Sequence, residues 1–89
     1  MKSQTTVRFR RAYEALPYQV RQQARQAYKL FEQDPYHPSL RFKQIHSSKQ
    51  IYSVRAGLGY RALALRDKED LVGFWIGSHA EYDKLLTRL

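Results

Sequence analysis

The sequence predicts an α+β fold: a helical hairpin, then four strands paired mainly antiparallel, then a short terminal helix. Three observations predict it. Residues 17–31 carry an apolar stripe at helical spacing. Residues 41–78 hold apolar stretches of strand length separated by short polar or glycine-containing turns. Residues 78–81 carry a helix-start signature.

The helices come first. Pro17 suits a first helical turn, where a missing N–H costs nothing. Beyond it, Val20, Ala24, Ala27, Tyr28 and Phe31 recur at the period of one helix face. Arg21, Arg25 and Lys29 fall on another, polar face. "DPYHP" (34–38) stops the helix, because a residue before proline avoids the helical region. Upstream, Phe9, Ala12, Tyr13 and Leu16 are also helically spaced, which predicts a first helix folded against the second. "TTVRF" (5–9) is a candidate short edge strand. Tyr13, Tyr28 and Trp75 are expected in the core.

The strands follow. "RFKQIH" (41–46) alternates loosely. "IYSVRAG" (51–57) puts Tyr52, Val54 and Ala56 on one face and Ile51, Ser53 and Arg55 on the other. "YRALALRD" (60–67) puts Arg61, Leu63 and Leu65 on one face and Tyr60, Ala62, Ala64 and Arg66 on the other. "LVGFWIGS" (71–78) is nearly all apolar, as a strand buried on both faces would be. The short connections favour antiparallel pairing. Finally Ser78 and Glu81 have the spacing of a capping box, which makes His79 the first residue of the last helix. Leu85, Leu86 and Leu89 are expected to pack that helix on the body.

At 89 residues the chain is expected to form one domain over 1–89. The absence of cysteine excludes disulfides and thiolate metal sites. A secreted domain this small is usually disulfide-stapled, so the cytoplasm is the expected compartment. No stretch is long and apolar enough to span a membrane, and "MKSQTTVRFRR" lacks the apolar middle of a signal peptide. The net charge of +8 is large for this size and asks for a polyanionic partner. Most of it sits early: residues 1–29 hold seven basic residues and one acidic, a net of +6, whereas residues 61–89 are neutral.

Chemistry has few places to reside. His37, His46 and His79 have no zinc-site spacing. "GLG" lacks the lysine and following helix of a phosphate loop. No Ser/His/Asp arrangement stands out, and the carboxylates cluster in the turn at 67–70 rather than in pairs. No metal or other cofactor is expected. Basic residues on strands, histidines and tyrosines remain, and that inventory suits metal-free RNA cleavage. A base removes the 2′-hydroxyl proton, cations hold the five-coordinate phosphate, and an acid protonates the departing 5′-oxygen. A positioned general acid or base contributes roughly 10²–10⁴-fold.

The layout "LP-(helix)-DPYHPSLRFKQI … IYSVRAGLGYRALAL … FWIGSHAEYDKLL" resembles the RelE/ParE superfamily of bacterial toxins over about residues 16–86. "DP-x-HP" before a lysine-bearing strand and "VR-x-G-x-x-YRAL" carry the likeness. The resemblance implies a helical hairpin packed on a twisted, mostly antiparallel sheet. It also implies the toxin of a type II toxin–antitoxin system, an mRNA endonuclease (mRNA interferase) that binds RNA at the ribosome and inhibits translation. An antitoxin would mask its basic groove. The superfamily also includes gyrase inhibitors and domains without proven activity, so a ParE-like gyrase inhibitor or an inactive RNA- or antitoxin-binding domain is the alternative.

The same resemblance points to particular residues. Arg61, in "GYRAL", matches an arginine set against the scissile phosphate, and Arg55 a recurrent position on the preceding strand. Lys43 falls where relatives carry functional lysines. His79 matches the end of the last strand, where some relatives place a proton donor. Tyr82, one turn on, can stack on a base or support His79. A helix N-terminus attracts phosphate oxygens and favours a neutral imidazole, as a general base requires. In the better-known RelE-like nucleases several basic residues and a tyrosine sit near the end of the chain. Here the last strand runs into a helix, so the acid and base roles are open. Each residue also has a structural reading: His79 and Lys43 as solvated side chains, Arg61 as an ion-pair partner of Glu69 or Asp70.

Overall fold

The computed structural model describes residues 2–89. The elements run β1 (Lys2–Thr5), α1 (Val7–Glu14), α2 (Tyr18–Gln33), a 3₁₀ turn (Pro38–Leu40), β2 (Lys43–His46), β3 (Ile51–Gly57), β4 (Tyr60–Asp67), β5 (Asp70–Ser78) and α3 (His79–Leu86). One sheet has the order β1-β5-β4-β3-β2. β2 to β5 form an antiparallel meander, and β1 pairs parallel with β5.

The fold class and the order of elements agree with the sequence reading, but the sheet has five strands rather than four. The extra strand is the predicted edge strand, moved three residues toward the N-terminus. Thr6 sets that boundary. Its hydroxyl accepts from the Phe9 N–H at 3.1 Å and caps α1, so Val7 to Phe9 are helical. β5 therefore lies inside the sheet between β1 and β4, as its apolar run requires.

α2 starts after Pro17, which stands just outside the first helical residue, and Asp34 ends it with extended backbone. α1 lies over β5 and α2 over β3. Between them the Tyr13 hydroxyl donates to the Arg21 carbonyl at 3.3 Å and accepts from Arg25 Nε at 2.7 Å. The two helices do not close over the sheet. They leave a mainly apolar cleft of about 540 Å³, lined by Phe9, Tyr13, Ala24, Ala27, Ala62 and Ile76, among others. Tyr28, expected in the core, stands beside this cleft half exposed, its hydroxyl 2.7 Å from Ser3 Oγ.

The sheet has a core on each face. On the helical-pair side Phe31, Leu40, Ala64 and Leu71 are buried together; Phe31 meets Phe42 edge-on, and Phe42 stacks on Tyr52. Gly73 lets the Phe9 ring of α1 lie on the strand, since a Cβ there would meet two ring carbons at 3.2 Å. On the other side Ile51, Leu63 and Tyr82 are buried, with Trp75, Leu85 and Leu86 packed against them. Leu89 lies past the end of α3 and is exposed, so it does not share in that packing.

α3 begins as its spacing predicts. Ser78 Oγ accepts from the Glu81 N–H at 3.2 Å, while the Glu81 carboxylate accepts from the Ser78 N–H at 3.1 Å. A further backbone bond, from the His79 N–H to the Gly59 carbonyl at 2.8 Å, ties this start to the β3–β4 turn. The Ser78 N–H and then its hydroxyl hold the Glu81 carboxyl below its ordinary value of 4.5. A carboxyl depressed in the folded state adds stability above its unfolded value, and this is lost as pH falls through the folded value. Glu81→Gln should therefore lower the urea midpoint at pH 7, and the gap should narrow as the pH falls below 4.5 and through the depressed folded value.

Candidate functional site

Strand pairing puts the predicted basic residues on one face. Arg55 stands directly opposite Arg61, and Arg61 opposite Gly77. Two positions along, Ser53 pairs with Lys43 on one side and Leu63 on the other. Side chains directly opposite one another share a face, and so do alternate residues along a strand. Arg55, Arg61 and Lys43 therefore lie on the face of Leu63, which packs against Tyr82 of α3. This is the side opposite the helical pair.

The joint between β5 and α3 belongs to the same place. Tyr82 and Asp83 both act on the charge of Arg61, and His79 touches both of them. Its ring lies 5.7 Å from the Tyr82 ring, edge-on, and its Nδ1 is 3.2 Å from Asp83 Oδ2. Arg61 and His79 thus lie on the same side of the molecule, at the end of the sheet where the β3–β4 turn contacts α3. Gly77 makes room there for the Trp75 ring. A Cβ there would sit 2.6 Å from the Trp75 ring and 3.2 Å from Glu81 Oε1.

The electrostatics are one-sided. The Arg61 guanidinium is pushed below its ordinary range, first by partial burial and then by Arg55; Arg41 pushes the same way, against Tyr82 and Asp83. Like charges directly across a strand pair oppose folding. Neither arginine has a carboxylate partner. Among the described residues, His79 with Asp83 forms the one salt bridge, so Arg61 is not paired to Glu69 or Asp70. Its one hydrogen bond runs from Nη1 to the Tyr60 carbonyl at 3.1 Å and orients the group. Such an arrangement attracts a phosphate, whose charge relieves the repulsion.

The remaining predicted residues divide. Lys43 is exposed on the edge strand β2. Tyr82 is only 6% exposed and is part of the core, so its ring cannot stack on a base; it can support His79 through their edge contact. His37 and His46 serve turns: His37 Nδ1 accepts from the Ser39 N–H and His46 Nδ1 from the Lys49 N–H. Arg25 braces α1 against α2 on the far face. No group of three His, Asp or Glu among the described residues is placed to hold a metal ion.

Sequence reasoning missed two residues. Asp83 follows His79 by four positions, the spacing at which helical side chains meet, and that signal was legible once the helix start was fixed. Arg41, which acts on Arg61, precedes Lys43 by two. Its backbone takes the left-handed conformation, φ 48°, where the 3₁₀ turn ends. Nothing in its local sequence marks that conformation.

The ParE-like toxin domain family matches residues 18–84. The chain belongs to that family, and with it to the RelE/ParE superfamily. Solved structures with the same fold include the RelB–RelE antitoxin–toxin complex of Methanococcus jannaschii, with 12% identity, a TM-score of 0.71, and coverage of 91% of this chain and 95% of that one. YafQ of E. coli has 12% identity and a TM-score of 0.68 over 91% of this chain and 96% of its own. The RelBE2 toxin–antitoxin complex of Mycobacterium tuberculosis has 21% identity and a TM-score of 0.67, over 86% and 95%. No curated protein sequence gives a significant match.

Replacing Arg61 with leucine removes one of two facing cations and keeps the apolar stem. Arg61→Leu should melt at or above the wild-type temperature in low salt. Added salt screens the Arg55–Arg61 repulsion, so it should stabilise the wild type more than the variant. Thermal denaturation at two salt concentrations checks both.

Proposed function

We propose that this chain is the toxin of a toxin–antitoxin pair, and that it cleaves mRNA in the ribosome without a metal, stopping translation in the cytoplasm. Its family and the toxins that share its fold support the first part. The observation that carries the second is the pair of arginines, Arg55 and Arg61, facing each other outside any salt bridge on the side of the sheet that holds His79. Arg61 and Arg55 hold the scissile phosphate and the charge it gains on becoming five-coordinate. His79 exchanges the proton, Lys43 adds charge from the edge strand, and Tyr82 braces the imidazole. The net charge of +8, with no Lys or Arg in a salt bridge among the described residues, gives the field that draws a polyanion in.

The partner is an antitoxin protein. The solved complexes from Methanococcus jannaschii and Mycobacterium tuberculosis are toxin–antitoxin assemblies, and the same pairing suits a chain whose cationic face needs masking. An acidic or apolar antitoxin segment across Arg55 and Arg61 would block the site.

A second reading, ParE-like inhibition of gyrase through protein contacts, is favoured by one observation. The 540 Å³ cleft beside the helical pair has the apolar lining of a protein- or ligand-binding surface. One experiment separates the readings. Purified protein is added to translating ribosomes in their usual magnesium buffer, and in parallel to a gyrase supercoiling assay. The nuclease reading expects mRNA scission that Arg61→Ala reduces by roughly 10²–10³-fold, as loss of one transition-state donor does, with supercoiling unaffected. Intact mRNA with blocked supercoiling would transfer the activity to the helical pair.

A further inference from the structure

His79 and Asp83 are the one feature of this site that charge alone does not explain. Both are open to solvent, with side chains 49% and 61% exposed. An exposed pair of this spacing contributes little to stability. Its consequence lies in which nitrogen carries the proton. Asp83 Oδ2 sits 3.2 Å from Nδ1. A carboxylate only accepts, so this contact favours the proton on Nδ1 and leaves the Nε2 lone pair free. The backbone that carries the imidazole is fixed. The capping box fixes the helix start at Ser78 and Glu81, and the His79 N–H is bonded to the Gly59 carbonyl at 2.8 Å. The Tyr82 ring meets the imidazole edge-on, and the Arg61 guanidinium is close enough to feel both Tyr82 and Asp83.

We propose that Asp83 is a positioning residue: it holds the His79 imidazole as the Nδ1–H tautomer and leaves Nε2 free to accept a proton beside the Arg55–Arg61 pair. This rests on the nuclease reading above and resolves a role left open there, making His79 the base. The 2′-O–H bond breaks and its proton passes to Nε2. The 2′-oxygen bonds to phosphorus, the bond from phosphorus to the 5′-oxygen breaks, and the departing 5′-oxygen takes a proton from water. The products are a 2′,3′-cyclic phosphate and a 5′-hydroxyl. The imidazolium then returns its proton to solvent. Asp83 stays ionised throughout.

The test has two readouts. The first is the tautomer, from nitrogen-15 spectra of the imidazole in the free protein above the pH at which it becomes neutral. Wild type should show a protonated Nδ1, and Asp83→Ala should shift toward protonated Nε2. The second is single-turnover cleavage of mRNA on ribosomes. Asp83→Ala should lower the rate at saturation by roughly tenfold to a hundredfold, less than the ~10⁴ seen where such an aspartate is buried, with half-saturation unchanged. Asp83→Asn should be worse than alanine, because its amide N–H can donate to Nδ1 and hold the wrong tautomer. Asp83→Glu, which keeps a carboxylate within reach, should recover part of the loss. A wild-type imidazole protonated at Nε2, or Asp83→Ala cleaving at the wild-type rate, overturns the assignment and leaves the nuclease reading standing. Wild-type protein that cleaves no mRNA defeats the nuclease reading, and the positioning role of Asp83 in it.

Discussion

Two arginines held opposite each other across a β-ladder are the constraint around which this molecule is arranged. Arg55 and Arg61 are direct cross-strand partners in the hairpin that turns through Gly57–Tyr60. Their repulsion opposes the folded state, partial burial adds to it, and Asp83 offsets it only from outside salt-bridge distance. The rest of the structure holds them in place. Leu63 and Ile51 are buried on the same face, and α3 lays Tyr82 over them. The helical pair on the far side supplies the second core. Apolar burial, at about 25 cal/mol per Å², outweighs a repulsion that water and salt screen.

That economy separates two tasks onto two faces. The face under α1 and α2 carries the aromatic cluster of Phe31, Phe42 and Tyr52 and the apolar cleft. The face under α3 carries the cations and the histidine. α3 covers only the apolar part of its face and starts beside the arginines, pinned there by the Ser78–Glu81 box and the Gly59 carbonyl. A helix start built this way sets the imidazole at a fixed height above the sheet edge without burying it. At Gly77 a side chain would run into the Trp75 ring and crowd Glu81.

The periodicities that were legible in the sequence were those with a local cause. Alternation in "IYSVRAG" and "YRALALRD" reported the two faces correctly, because each side chain's face follows from its own strand. Ser78 and Glu81 reported the start of α3, because a cap is a contact within four residues. What the sequence concealed depended on distant partners or on backbone detail. The parallel pairing of β1 with β5 joins residues nearly seventy positions apart, and Thr6 looked like strand until its hydroxyl was seen capping α1. Tyr28 looked like core because its spacing matched the apolar stripe, yet α1 and α2 stay apart there and leave it half exposed. Tyr82 looked available because it follows His79, but the face of α3 it occupies turns inward. Asp83 was overlooked since a lone carboxylate in a basic chain gains meaning only once the imidazole beside it is placed.

The central claim is that the sheet face beside α3, rather than the more strongly basic helical pair, receives the nucleic acid. The direct measurement follows the side-chain N–H signals of the arginines by NMR while a short RNA, blocked by 2′-O-methylation against scission, is added at low salt. Arg55 and Arg61 should shift together with the His79 ring, and the affinity should fall with salt at about 0.7 log units per decade for each phosphate neutralised. Signals that move only for Arg21 and Arg25, with Arg61 silent, would contradict the account.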